Sequence, residues 1–268
     1  MTEQQTQSPR PFALVTGASS GIGLALARQF ASNGFDLVIA AEDPGIHRVS
    51  EELAGLGADV FAEEVDLATP LGVEALHRAA TADGRTLAAA ALNAGVGVGG
   101  PFAQTDLESD LRLVDLNVRS TVHLAKLVVP DMVAHGEGRL LFTASIAATA
   151  PGPYHATYAA SKAFVHSFAE ALRTELKDSG VTVTSLMPGP TDTEFFERAD
   201  MEDTAVGQGP KDDPDDVARD GFEALMAGKD HVVAGSRRNS VQAGAASLLP
   251  DAVAARAQAA QAAPRSGT

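Results

Sequence analysis

Tyr158 and Lys162 stand four residues apart, and Ser145 lies thirteen residues before the tyrosine. In the segment 156–168 (ATYAASKAFVHSF) small and apolar residues recur at helical spacing. Positions i and i+4 then share a face, and the lysine ammonium lies beside the phenol. A tyrosine alone titrates near pH ~10, and an adjacent cation favours its ionised form. The pair reads as a proton-transfer device, with the phenol expected below its ordinary range.

A second chemistry stands near the start of the chain. Residues 12–16 (FALVT) read as a short buried strand, 17–23 (GASSGIG) as a glycine-rich turn and 24–31 as an apolar-periodic helix. Glycines let backbone amides approach a pyrophosphate, and the helix N-terminus adds partial positive charge aimed at the anion. Gly17, Ser19, Ser20, Gly21, Ile22 and Gly23 are thus candidate dinucleotide contacts. Three residues separate the first two glycines, a departure from the G-x-G-x-x-G spacing.

Such groups need elements that converge. Strands are expected over 12–16, 37–40, 60–65, 88–92, 139–143, 181–186 and 231–234, with helical segments between almost all of them. That alternation predicts an α/β fold, a Rossmann-like doubly wound parallel sheet of about seven strands with helices on both faces and the ligand across the carboxyl ends. Thr16, Asp66, Asn93, Ser145 and Pro188 each follow or close a predicted strand, so they fall at that edge. One domain is expected over 11–250 with a substrate lid at about 191–212. Residues 1–10 are read as disordered. For the alanine-rich tail 251–268, a peripheral helix and a frayed end both stand.

Composition bounds the function. A chain of 268 residues, 45% hydrophobic and 21% charged, suffices for one large α/β domain. It holds no run of eighteen apolar residues, and its first ten lack the pattern of a secretory signal, so a cytoplasmic protein is expected. Without cysteine there are no disulfides and no thiolate chemistry. No H-x-x-x-H pair or carboxylate cluster suggests a metal, so none is expected; the acidic run 212–216, broken by Pro214, reads as a helix start. A net charge of −15 opposes binding to nucleic acid or anionic membranes and leaves a small molecule as the expected partner.

Taken in order, TGASSGIG at 16–23, Asp66 with Leu67, Asn93-Ala94-Gly95, Asn117 in LNVRST, Ser145 in TASIA, Tyr158 with Lys162, and Pro188, Gly189 and Thr191 in a P-G-x-T turn resemble the short-chain dehydrogenase/reductase family over roughly residues 11 to 235. The resemblance implies an NAD(P)-dependent oxidoreductase interconverting a secondary alcohol and a ketone or aldehyde. Tyr158 would be the acid and base, and Ser145 would hydrogen-bond the substrate oxygen. Lys162 would hold the nicotinamide ribose, and Asn117 a water linking that lysine to solvent. Capping or bending the long helix 106–135 is the other reading of Asn117. Thr16 belongs to the implied cofactor loop, Asp66 meets the adenine, and the P-G-x-T turn holds the nicotinamide end. The family's pairing of helices such as 106–135 and 157–179 implies a homodimer or homotetramer.

In that family the substrate pocket is built from the loop after Asn93, the segment between Ser145 and Tyr158, and the insertion after Thr191. The candidates here are Val98, Ala147, Tyr154, His155 and Phe195, a largely small and apolar set that suits an apolar carbonyl or alcohol. For Phe195 a mobile lid and simple packing both stand. No arginine or lysine occupies the glycine loop or the end of the second strand, which reads Ala40, Ala41, Glu42, Asp43. Carboxylates there repel a dianionic phosphate, so NAD is expected over NADP, with Glu42 facing the ribose; a solvated turn before a helix is the other reading of Glu42 and Asp43. Ala41 stands where the family's NAD-selective aspartate is expected. A non-catalytic, NAD(P)-binding redox sensor is the alternative; it has no need of serine, tyrosine and lysine at catalytic spacing.

Overall fold

In the computed structural model, residues 10–265 are described. The seven strands are β1 (Phe12–Thr16), β2 (Asp36–Ala41), β3 (Val60–Glu64), β4 (Leu87–Leu92), β5 (Gly138–Thr143), β6 (Val181–Pro188) and β7 (His231–Ala234). They form one sheet in the order β3-β2-β1-β4-β5-β6-β7, with every neighbouring pair parallel. Strands β1 and β2 are buried at every position, as continuous apolar runs covered on both faces must be. Sequence order reverses between β1 and β4, which opens a crevice at their carboxyl ends.

Two layers of helices close the sheet. On one face α1 (Gly21–Ser32), α2 (Ile46–Ala54) and α9 (Pro214–Met226) bury Leu26, Phe30, Ile46, Leu53, Val217 and Leu225. Phe30 meets Phe35 and Phe222 edge-on at 5.2 and 5.1 Å, a geometry that adds about 0.5–1.5 kcal/mol per pair beyond area burial. The opposite face is covered by α3 (Pro70–Thr81), α5 (Ser120–His135) and α6 (Ala156–Glu175). Helix starts follow their chemistry: Thr69 accepts from Gly72 N–H ahead of Pro70, and Asp213 accepts from Asp215 N–H ahead of Pro214. The acidic run at 212–216 is therefore a helix start.

The helix expected over 106–135 is not continuous. It divides into α4 (Leu107–Val114), a π turn (Asp115–Arg119) and α5. The Ser120 and Thr121 hydroxyls donate back to the carbonyls of Leu116 and Asn117, which supports the widened turn. Helix α6 ends at Glu175, short of the expected 179.

Residues 1–9 lie outside the described set, but Arg10 is tied down, donating to the carbonyls of Gly34 and Ala31 at 3.1 and 3.2 Å. The alanine-rich tail is α11 (Asp251–Ala262), preceded by α10 (Arg237–Leu248), and it docks on the segment after β6. That segment carries α7 (Phe195–Arg198) and α8 (Ala205–Gln208), and its ends close where Thr191 bridges Asp212. Thr204 pairs with Pro264, and Arg265 N–H donates to the Asp203 carbonyl at 2.8 Å. Ala262 is buried with Phe196, Ala199 and Met201. Among the described residues no helix is long and apolar enough to cross a membrane.

Candidate active site

The crevice is a cleft of about 620 Å³ running from the end of β2 to the segment after β6. At its centre the glycine loop turns from β1 into α1. Gly17 and Gly21 hold φ of +67° and +55°, which side chains rarely adopt. A Cβ on Gly23 would lie 2.0 Å from the Gly17 carbonyl oxygen and 2.6 Å from Asn93 Nδ2. The loop is thus folded tight against the end of β4. Ser20 precedes α1 without a side-chain capping bond, so the first amides of that helix are not covered by its hydroxyl. Exposed amides at a helix start beside side-chain-free backbone fit a pyrophosphate.

Thr16 does not line this cleft. Its hydroxyl accepts from the amides of Asn93 and Ala94 at 2.9 and 3.0 Å, and Asn93 Nδ2 donates to the Thr16 carbonyl at 3.2 Å. Thr16 and Asn93 staple β1 to β4 and fix the loop against Asn93-Ala94-Gly95, which do line the cleft together with Ser19, Ile22, Leu67, Pro188, Gly189 and Thr191.

At the other wall α6 presents Tyr158 and Lys162, and Ser145 follows β5. Lys162 is 5% exposed and donates from Nζ to the Thr143 carbonyl at 2.8 Å. Burial pushes its pKa down to about 8. Burial also pushes the Tyr158 phenol up to about 12, against the pull of a hydrogen bond with Ser145. The expected lowering of the phenol is therefore reversed. The ammonium is committed to a backbone carbonyl and stands 5.9 Å from the phenol ring centre, so desolvation outweighs its charge. At neutral pH the phenol holds its proton beside a serine hydroxyl, an arrangement able to donate to a substrate oxygen.

Asn117 sits in the π turn, 1% exposed. Its Oδ1 accepts from Val96 N–H and its Nδ2 donates to the Val96 carbonyl, both at 2.9 Å, and also to Ser161 Oγ at 3.1 Å. It locks the loop after β4 to α6. A Cβ on Gly95 would lie 3.0 Å from Asn117 Oδ1 and 3.2 Å from Lys162 Nζ, so both groups crowd the same glycine.

The substrate candidates divide. Ala147, His155 and Phe195 line the cleft, and the Phe195 ring lies 5.1 Å from that of Tyr158. Val98 and Tyr154 do not line it. Tyr154 has φ of +65°, its carbonyl accepts from Gly100 N–H at 2.7 Å, and its side chain packs on the cluster of Phe196, Ala199 and Met201. His155 is buried beside Tyr158, ring centres 6.2 Å apart. Burial holds its pKa below the ordinary histidine range, against a weaker pull from the Pro153 carbonyl, so it is neutral at pH 7. Among the described residues no group of three or more His, Asp or Glu is placed to hold a metal ion.

Several cleft residues escaped the sequence reading. Gln242 of α10 and Gln258, Gln261 and Ala262 of α11 line the cleft with Met201 and Val206 of the segment after β6. Asn239, 3% exposed, donates to Asp212 Oδ2 at 2.6 Å and the Ala234 carbonyl at 2.9 Å. It backs the P-G-x-T turn so closely that a Cβ on Gly189 would lie 2.3 Å from its amide nitrogen. Arg112 of α4 donates to both oxygens of Asp66 at 3.1 Å and to Glu42 Oε2.

Comparison with known proteins fits this geometry. A family model described as short chain dehydrogenase matches residues 11–203, well over half of the chain. The chain belongs to this family. Over 185 residues it is 39% identical to 1-deoxy-11-beta-hydroxypentalenate dehydrogenase of Streptomyces exfoliatus, covering 68% of this chain and 67% of that protein. A short-chain dehydrogenase from Sphingobium yanoikuyae in complex with NADPH superposes with a TM-score of 0.78 at 31% identity, covering 83% of this chain and 87% of that one. A family member from Burkholderia phymatum in complex with NAD gives 0.75 at 26% identity, covering 84% and 88%. Short-chain dehydrogenases of this likeness thus hold either dinucleotide.

Proposed function

We propose that the chain is an NAD-dependent oxidoreductase interconverting an apolar secondary alcohol and its ketone or aldehyde. The observation that carries this reading is the convergence of Ser145, Tyr158 and Lys162 on one wall of a cleft whose other wall is the glycine loop. A bound nicotinamide would supply or take the hydride. The phenol of Tyr158 gives its proton to the substrate oxygen in reduction and takes it back in oxidation. Ser145 orients that oxygen, Lys162 holds the nicotinamide ribose and favours the tyrosinate as it forms, and Asn117 keeps the loop carrying Gly95 against them.

Support for an apolar substrate comes from Ile146, Ala147, Phe195, Met201 and Val206 around the phenol, with neutral His155 and the amides of Gln258 and Gln261 as hydrogen-bonding groups. Support for NAD comes from Glu42 and Asp43 lining the cleft at the end of β2, where a 2′-phosphate meets like charge. Leu107, Leu111, Val114 and Phe164 leave apolar surface on α4 and α6 and support a homo-oligomer. We place this enzyme in the cytoplasm, acting on a small molecule, with neither nucleic acid nor membrane as partner.

The test is a panel of apolar ketones and secondary alcohols assayed with NADH, NADPH and their oxidised forms by absorbance of the reduced cofactor. Turnover with a higher kcat/KM for NADH is expected. A hundredfold preference for NADPH reverses the cofactor assignment, and dinucleotide binding with no turnover on any member favours a sensor. Because the phenol is protonated through neutrality, kcat/KM for reduction is expected to be flat from about pH 6 to 7.5 and to fall above about 8 as Lys162 loses its charge, while oxidation rises with pH. A reduction rate that climbs through pH 8 contradicts these roles.

A further inference from the structure

Glu42 opens the loop after β2, Asp66 follows β3, and both line the cleft at the end away from Tyr158. Arg112 reaches them from α4. Its Nη1 and Nη2 engage the two oxygens of Asp66 at 3.1 Å each, and Nη2 also reaches Glu42 Oε2. Asp66 Oδ1 accepts in addition from Ala68 N–H at 2.9 Å. A guanidinium is a planar fork, so it fixes the directions of the carboxylates it holds, whereas a lysine ammonium gives one point contact. The side chains remain partly open, with Arg112 44%, Glu42 60% and Asp66 36% exposed. An ion pair that open contributes little to stability by itself.

We infer that Arg112 is a positioning residue for the adenosine half of the cofactor: it aims Glu42 at the ribose hydroxyls and Asp66 at the adenine, and so sets the preference for NADH. This rests on the dinucleotide reading of the cleft. Each carboxylate oxygen can accept more than one hydrogen bond, so the bridge leaves Glu42 Oε1 and the remaining lone pairs of Asp66 able to receive donors from the ligand. Ribose hydroxyls and an adenine amine are such donors. A 2′-phosphate is an acceptor, and it would meet two carboxylates sharing one cation, a net charge of the wrong sign. Without Arg112 the two carboxylates lose their common anchor, and Glu42 spends much of its time in solvent.

Arg112→Met keeps the length and helical preference of the side chain and removes the fork; Arg112→Lys keeps the charge. Dissociation constants of NADH and NADPH are read by fluorescence of the reduced nicotinamide, with kcat for any substrate found active. NADH binding by Arg112→Met is expected to weaken about tenfold, the size of one charge-assisted hydrogen bond, with kcat within about twofold of wild type. Arg112→Lys is expected to recover only part of the loss. On a Glu42→Ala background the Met substitution is expected to cost NADH much less, because Glu42 is one of the groups it acts through. Unchanged NADH affinity in Arg112→Met, or a loss confined to NADPH, overturns the inference; the second result would make the guanidinium a phosphate ligand. Wild-type protein that binds neither dinucleotide would instead overturn the reading of the cleft.

Discussion

Tyr158→Phe is expected to lose turnover by about 10³- to 10⁴-fold while binding NADH nearly as wild type, because it deletes one hydroxyl and leaves the ring in place. The ring is held by contacts the substitution does not touch, Phe195 at 5.1 Å and His155 at 6.2 Å. In the proposed mechanism the phenol, pushed up to about 12 by burial and hydrogen-bonded with Ser145, is the acid that meets the substrate oxygen. Paired measurements of kcat and of the NADH dissociation constant check this. A Phe variant that retains more than about a tenth of wild-type kcat would remove Tyr158 from the proton transfer.

Gly23→Ala is expected to damage binding and fold together. The added methyl would stand 2.0 Å from the Gly17 carbonyl oxygen, 2.7 Å from its carbon and 2.6 Å from Asn93 Nδ2. Two of these atoms are backbone of the loop that faces the dinucleotide, so relief comes only by opening the loop. Overpacking of this kind costs about 3 kcal/mol or more when backbone must move, which for a domain of this size lowers Tm by about 5 °C or more. NADH affinity is expected to fall well beyond about tenfold, since several amides lose their aim at once. Calorimetry and fluorescence titration check both halves. Wild-type Tm and affinity together would mean that the glycine merely fills a turn.

How much of this was legible in the sequence follows from what fixes each feature. The strands were readable because a parallel strand buried on both faces is a short apolar run, and FALVT and its counterparts have no competing pattern. Tyr158 and Lys162 were readable because helical pitch alone puts them on one face. The direction of the tyrosine shift was not readable, since it depends on where Lys162 spends its proton, and Thr143 lies in another element. Tyr154 and His155 are adjacent, yet only the histidine faces the cleft, because a left-handed backbone at Tyr154 turns its side chain onto Phe196, Ala199 and Met201. Arg112 was hidden by distance: sequence neighbourhood points to cations near the end of β2, while the partner of Glu42 comes from a helix seventy residues on. Helix α11 was legible only as one of two open readings, for an alanine-rich segment has no polar face to contrast with the side that docks.

That docked helix has a practical consequence. A fusion tag or carrier domain at the carboxyl end is attached close in sequence to the Thr204–Pro264 bridge and to α11, whose Gln258, Gln261 and Ala262 line the cleft. Attachment ahead of Arg10 places it at the amino edge of the parallel sheet, where β1 begins, on the far side of the molecule from the cleft. Two preparations differing only in which terminus carries the tag therefore differ at the cleft, and the amino-terminal one leaves its lining by α11 untouched.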